Sequence, residues 1–379
     1  MGKKKIIFIT SAHLAHDDRI FYHMALSLVA LGFEVQISAG SEFLETREKG
    51  VDFKCFDGNS HSKQKKVEKF QELLSEFTPD IVISSEPLPL YAASQYKKNT
   101  NNKVKVIYDI TEWYPSKKNL IQYSGAGKFF FFFKLLLFNY FAASKADGFI
   151  FGERYKQVLY RMIFPFKPYE YVTYYPHLKY INYTPSKLSP GKIVLGYTGK
   201  ISEEKGFKNF ISTVKSLSRQ RNELKIFVKI VGWFADKNDE IEAHNLLNEL
   251  EPSIQFQFLG RQSFPELSNE LADINVFFDL RKIDFENNHC LPIKVFYYAA
   301  CGRPVVYSGL KALKKEVEVD PFGFLVDPEE HETIAAKLIK YLDEPHLYDE
   351  HCKNARKWAE NNYNWERIEK GFIDFINAF

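Results

Sequence analysis

The stretch KIIFITSAHLAHDDRIFYHMALSLVALGFEVQISAG, residues 5–40, decides the fold. Its opening KIIFIT runs apolar without alternation, the mark of a parallel strand buried on both faces. A polar loop, SAHLAHDD, follows. Ile20, Met24, Leu28 and Leu31 then recur at helical spacing up to Gly32, which stops the helix. FEVQISAG is a second strand. Strand, helix and strand in one short span form a right-handed crossover, the opening unit of a doubly wound sheet.

The same alternation continues outward. DIVISS (80–85), VKVIYDI (104–110) and ADGFIFG (146–152) read as short buried strands, with a helical stretch from Leu90 to Lys98 and a Phe-rich helix between them. INYTPSKLSPGK, residues 181–192, is rich in Pro, Ser and Lys and reads as a linker. Beyond it, KIVLGYTG, KIFVKIVG, IQFQFLG, INVFFDL and GFLVD alternate with the helical GFKNFISTVKSL, FPELSNELAD, Ile293–Cys301 and a last helix from about Glu330 to Leu342. The expected class is α/β, with two Rossmann-like doubly wound domains. They are 1–180, a linker 181–192 and 193–360, with a terminal helix in 361–379 packing back on the first domain. Ligands of such sheets bind in a cleft at the carboxyl ends of the strands.

A chain of 379 residues is longer than one core usually supports, and 45% apolar with 26% charged residues leaves no room for long disorder. Cys55, Cys290, Cys301 and Cys352 show no metal-ligand spacing and read as reduced thiols of a cytoplasmic protein. MGKKKIIFIT is too short in its apolar run for a signal peptide. FFFFFKLLLFNYFAA, residues 129–143, is broken by Lys134 and Asn139 and falls short of the roughly 20 apolar residues of a spanning helix. Two readings of it stay open: a helix lying in a membrane interface with lysines 117, 118, 128 and 134 around it, or one buried under the first sheet. The net charge of +3 divides unevenly, with 24 basic and 18 acidic residues in 1–175 against 27 and 30 in the rest. The first half therefore faces an anionic partner better. No nucleic-acid recognition motif accompanies that charge.

Candidate chemistry gathers at strand ends. In GYTGKISEEKGFKNF, Gly199 closes a strand, Lys200 follows it, and Lys205-Gly206 precede a helix N-terminus, a set suited to a diphosphate or, more plainly, a solvated turn. In NNHCLPIKVFYYAACGRPVV, Asn288 and His289 are placed for ligand hydroxyls and Lys294 for a phosphate, while the apolar helix itself reads as core. His13, His16, Asp17 and Arg19 crowd the first loop without the spacing of a helical metal site, and Glu86, Asp109 and Glu112 stand just past other strand ends. An Arg held by an Asp is the usual arrangement in such a loop.

On these motifs the chain resembles the GT-B glycosyltransferases, in particular the large retaining family 4, the glycosyl transferases group 1. Asp17 and Arg19 before an amphipathic helix, Tyr108-Asp109 with Glu112, the Lys200 and Lys205 pair, and residues 291–306 are similar to the family's ordered motifs, and the likeness runs from Lys5 to the C-terminal YNWERIEKGFIDFI. The resemblance implies catalytic roles for Lys200, Lys205, Arg19 and Glu112. It implies donor contacts from Gly199, Gly232, Arg261, Asn288, His289, Leu291, Lys294 and Tyr297, and acceptor contacts from His13, His16, Asp17, Glu86 and Asp109. The implied reaction moves sugar with retention from a nucleotide sugar, such as a UDP- or GDP-sugar, to a glycan or lipid-linked acceptor, in bacterial surface polysaccharide biosynthesis. It needs no metal and no further cofactor, and it takes place in the cytoplasm with a peripheral contact at the inner membrane face through the N-terminal domain.

The departures are specific. Where the family commonly carries two glutamates eight residues apart, this chain has His289 and Tyr297. Thr111 stands where the family often has His, Ser85-Glu86 where a His-Asp pair is frequent, and Lys200 where Arg is commoner, which exchanges a bidentate fork for a point charge. Altered donor choice and a catalytically degenerate scaffold subunit both follow from such a pattern.

Overall fold

The computed structural model describes residues 3–101, 103–234 and 236–379, the side chains of Lys117 and Lys118 lying outside the described set. The chain forms two compact units, Met1–Tyr174 with Glu366–Phe379, and Tyr175–Trp365.

The first unit is built on β1 (Lys5–Thr10), β2 (Glu34–Ala39), β3 (Leu44–Glu48), β4 (Val51–Cys55), β5 (Ile81–Ser84), β6 (Lys105–Ile110), β7 (Gly148–Phe151) and β8 (Tyr169–Tyr171). Their order is β3-β4-β2-β1-β5-β6-β7-β8, parallel except for the β3–β4 hairpin. β1 sits centrally, with Ile6, Ile7, Phe8 and Ile9 at most 1% exposed, as its unbroken apolar run dictates. After β1, a π-helical segment, Asp18–Ala25, runs into α1, Leu26–Ala30. Asp17 caps it, accepting from the backbone N–H groups of Arg19 and Ile20. Ile20, Met24 and Leu28 are buried as the spacing predicts, but the helix ends at Ala30 and Leu31 turns outward, 57% exposed.

α2 (Lys63–Phe77), α3 (Pro87–Asn99), the short α4 (Lys117–Leu120), α5 (Gly125–Ser144) and α6 (Arg154–Ile163) cover the sheet. α5 is the Phe-rich helix, and it is not a core helix. Only Asn139, Ala142 and Ala143 are buried, while Phe129, Phe130, Leu137 and Phe141 are between 52% and 70% exposed. Of the two readings open from sequence, burial under the sheet is overturned. By length and composition α5 also meets the requirement of a membrane-crossing helix, with 17% of its apolar window buried. Its C-terminal part is anchored, however: Asn139 accepts from the Tyr108 hydroxyl at 2.9 Å and donates to Tyr160 at 2.7 Å.

The second unit has β9 (Lys192–Ile201), β10 (Lys225–Phe234), β11 (Gln255–Leu259), β12 (Val276–Asp279), β13 (Val305–Ser308) and β14 (Gly323–Val326) in the order β11-β10-β9-β12-β13-β14, all parallel. Around it lie α7 (Phe207–Gln220), α8 (Lys237–Asn248), α9 (Phe264–Leu271), α10 (Phe285–Asn288), α11 (Lys294–Ala300), α12 (Lys311–Glu316), α13 (His331–Asp343) and α14 (Pro345–Asn362).

The division between units falls after Tyr174, six residues before the boundary expected at 180. The reason is local: the Trp365 N–H donates to Pro176 O at 2.9 Å, and Ile181 packs into the second core. The last helix, α15 (Trp365–Asn377), belongs from Glu366 with the first unit, where Ser27 Oγ donates to Glu369 at 2.5 Å.

Candidate active site

In the first unit the ends of β1, β5 and β6 open into a cavity of about 1050 Å³, lined among others by His13, Glu86, Thr111 and Glu112. Glu86 is fixed by Thr10 Oγ1 and the Ser11 N–H, each donating at 2.7 Å. Burial pushes its carboxyl upward, against the opposing pull of His13 and these donors. His13 Nδ1 lies 2.9 Å from Asp17 Oδ2, and Nε2 stands 3.5 Å from Thr111 Oγ1 and 3.9 Å from Glu86 Oε1. Burial works against a charge on this ring, but the Asp17 hydrogen bond and the carboxylates of Asp17, Glu86 and Asp109 outweigh it and push its pKa up to about 9. Asp17 is held down correspondingly, burial opposing and the His13 hydrogen bond prevailing.

Three expected residues stand elsewhere in this unit. Arg19 is 1% exposed and gripped by Asp109, itself 0% exposed, through Nη1 to Oδ2 at 2.5 Å and Nη2 to Oδ1 at 2.7 Å, while Nε donates to Val172 O at 2.8 Å. Those bonds occupy the guanidinium fork and close it to a substrate, which corrects the catalytic assignment of Arg19 and the acceptor assignment of Asp109. His16 pairs with Glu48 at 2.9 Å and stacks on Phe53, so it braces the β3–β4 hairpin and is not among the cavity residues. The sequence reading missed the cavity's aromatic wall, Tyr91 on α3 with Trp113 and Tyr114, the last two signalled only by their position just past the end of β6.

In the second unit the cations converge around the end of β9. The Tyr197 hydroxyl lies 2.9 Å from Lys200 O and 3.2 Å from Lys205 O, tying the two lysines into one loop. Lys205 Nζ rests on Glu204 at 3.0 Å. Gly232 pairs with Gly199 across β10 and β9, and a Cβ on Gly232 would sit 2.0 Å from Gly199 O. Gly206, at φ +81°, begins α7, where a Cβ would lie 2.0 Å from Leu280 O. Both glycines are sterically required.

Lys294 Nζ donates to Thr198 O at 2.9 Å and lies 3.0 Å from Asp279 Oδ2, directly beneath the Gly199 turn. Burial lowers its pKa, more than Asp279 restores it. Asp279 also accepts from Arg281 Nε at 2.7 Å and Nη2 at 2.5 Å. Although burial disfavours its charge, Arg281 and Lys294 hold Asp279 ionised far below the usual carboxylate range. Lys294 was expected here, but its partners Asp279 and Arg281 were missed; their signal was an Asp closing the otherwise apolar β12, followed two residues later by Arg.

The other expected donor residues divide. The Arg261 guanidinium stacks 4.1 Å over the Trp233 ring at the end of β10. Asn288 Oδ1 accepts from the Lys311 N–H at 3.1 Å, and His289 Nδ1 is 2.6 Å from Phe285 O, so both brace the short α10. Leu291, 5% exposed, packs its side chain into the core. Tyr297 is 8% exposed and edge-on to Phe264, its ring among the core residues of this unit. Its neighbour Tyr298 stacks on Phe277 and bonds Thr198 Oγ1 at 2.6 Å. The two tyrosines thus occupy the core side of α11, where a charge would be costly.

Residues 183–365, nearly all of the second unit, match the family of glycosyl transferases group 1. This unit is a glycosyl transferases group 1 domain. Over 198 residues, 50% of this chain, the sequence is 24% identical to the capsular polysaccharide biosynthesis glycosyltransferase CapM of Staphylococcus aureus. The chain spans about half the length of that curated relative, 48%. Among solved structures, sucrose-phosphate synthase of Thermosynechococcus elongatus superposes with a TM-score of 0.75 at 14% identity, covering 99% of each chain. HepE of Anabaena in complex with UDP superposes with 0.69 at 15% identity, covering 99% of this chain and 100% of that one. These likenesses show the fold: two α/β units in the GT-B arrangement of strands, the second carrying the group 1 domain.

Proposed function

We propose that the chain is a glycosyltransferase that moves a sugar, with retention, from a nucleotide-diphosphate sugar to a glycan or lipid-linked acceptor in the assembly of a bacterial surface polysaccharide. The observation that carries the reading is the cation loop of the group 1 domain, where Lys200 and Lys205 share the loop that leads into α7 and Lys294 lies against the Gly199 turn. In the transfer, the bond from the anomeric carbon to the diphosphate breaks and a bond to the acceptor oxygen forms on the same face, while the acceptor proton passes to the leaving phosphate. Negative charge grows on that phosphate, and cations already in place stabilise it without a metal. The first unit would hold the acceptor in the cavity that His13, Glu86 and Glu112 line. The UDP complex of HepE and the capsular role named for CapM support the donor class and the pathway class; the proposed reaction is cytoplasmic, at the inner membrane face.

Titration calorimetry with UDP, GDP, ADP and CDP tests this. One nucleotide is expected to bind, and Lys205→Ala to weaken it about tenfold, or 1.4 kcal/mol. The burial of Tyr297 and the engagement of His289 with Phe285 favour a second reading, a scaffold subunit that binds glycan or a partner without turnover. Failure of all four nucleotides to bind would favour that reading over the first.

A further inference from the structure

The transfer reading places the reaction at a membrane face without naming the residues that meet it, and α5 and α6 carry an exposed apolar face. On α5, Phe129, Phe133, Leu137 and Phe141 recur at four-residue spacing and are 44–70% exposed. The adjoining α6 and the loop after it expose Met162 at 74% and Phe166 at 98%. The helices are neighbours: Asn139 of α5 donates to the Tyr160 hydroxyl of α6 at 2.7 Å, and Lys167 Nζ donates to Ser144 O at 2.8 Å. Exposed apolar side chains gathered on neighbouring elements in this way mark an interaction site.

Charge identifies the partner. Between Glu112 and Asp147 the sequence has five lysines and no acidic residue, and between Glu153 and Glu170 it has Arg154, Lys156, Arg161 and Lys167 and no acidic residue. Lys156 is internal, bound to Glu153 at 2.6 Å, but Lys128, Lys145, Arg154 and Arg161 are exposed among the apolar side chains. Apolar residues interspersed with cations alone suit a surface that offers hydrocarbon beneath a layer of negative headgroups. A second copy of this chain would bring the same cations against themselves.

We propose that α5 and α6 form a docking face for an anionic lipid bilayer, with α5 lying in the interface rather than crossing it. The anchoring of Asn139 between Tyr108 and Tyr160 holds the C-terminal part of α5 on the first unit, and Lys128 and Lys134 interrupt its apolar length. Lys134, Leu135 and Phe138, on the other side of α5, line the cavity. One helix therefore walls the cavity and carries the docking face. That link to a lipid-borne acceptor rests on the transfer reading; the docking itself does not.

Flotation of the full chain with vesicles of phosphatidylcholine alone, and of phosphatidylcholine with 30% phosphatidylglycerol (roughly the anionic content that gives a strong surface potential), tests the proposal. Binding is expected to the anionic vesicles only, to fall at least tenfold in the Phe129→Ser, Phe133→Ser, Leu137→Ser, Phe141→Ser variant, and to fall also in Lys128→Glu, Lys145→Glu. Melting temperatures of both variants verify folding, and the charge variant keeps the test decisive if the apolar one misfolds. No flotation of the parent chain would overturn the proposal. So would a concentration-dependent dimer in solution that the serine variant abolishes, because the occupant would then be a second copy. UDP binding, read on the same samples, separates this result from the transfer reading: its loss alone leaves the docking face standing.

Discussion

Lys294 Nζ and Asp279 Oδ2 stand 3.0 Å apart under the Gly199 turn, and the same carboxylate takes two hydrogen bonds from Arg281. One buried anion thus keeps two cations together in a place where, without it, they would repel. Asp279→Asn keeps the shape and removes the charge. Breaking a buried pair from one side costs about 3–5 kcal/mol, and urea unfolding of Asp279→Asn is expected to show a loss of that order with an unchanged m-value. Lys294→Met should cost less, since the Asp279–Arg281 fork survives. Equal and small losses for both would show that the cluster is not a charge-balanced unit.

Arg19 and Asp109 give a second case with a different expectation. Both are buried, and their fork is complete, so either single change, Arg19→Met or Asp109→Leu, strands a charge and should cost about 3–5 kcal/mol. The double variant should recover most of that loss, which a double-mutant cycle reads directly. Nucleotide affinity of the second unit should be unchanged throughout. A selective loss of nucleotide binding by Arg19→Met, in a protein of normal stability, would restore Arg19 to the catalytic set.

The parallel core was legible because burial on both faces leaves unbroken apolar runs such as KIIFIT and INVFFDL, and the loop between β9 and α7 because Gly199 and Gly206 punctuate the strand end and the helix start. The β3–β4 hairpin was not legible: β3 is the edge strand LETRE, whose polar pattern carries no burial signal. β8, three residues at the other edge, was missed for the same reason. The orientation of α5 was illegible in principle, since an apolar helix reads the same whether it faces protein or lipid. Arg19 shows the limit at the site: a motif position says that a charge is present, and only the fold shows that Asp109 has already engaged it.

Gly206 offers a steric prediction. A Cβ there meets Leu280 O, and the positive φ disfavours any L side chain, so Gly206→Ala should lose more than about 1 kcal/mol. The strain falls on the start of α7, next to Lys205. Nucleotide affinity should therefore drop at least as far as in Lys205→Ala, whereas Gly260→Ala, with open space around its Cβ, should change neither quantity. Calorimetry on the three variants checks the order.

His13 makes the pH dependence of the first unit predictable. Its pKa is raised from 6.5 to about 9 by Asp17 and the neighbouring carboxylates, which overcome its burial. The protonated ring is thus favoured in the folded state, and its contribution to stability is complete below pH 6.5, where the unfolded chain is also protonated. Between pH 6.5 and about 9 the unfolded chain has lost the proton and the folded one retains it, so stability declines with a slope of at most about 1.4 kcal/mol per pH unit. Above that window the contribution is gone. Relative to His13→Gln, the parent chain should therefore hold its full advantage in urea midpoint at pH 6 and lose it by pH 9.5, and Asp17→Asn should remove most of the advantage at pH 6. A difference that stays flat from pH 6 to 9.5 would mean that the ring is neutral in the folded protein, and His13 would then be available as a proton acceptor in the cavity instead of a fixed cation beside Glu86.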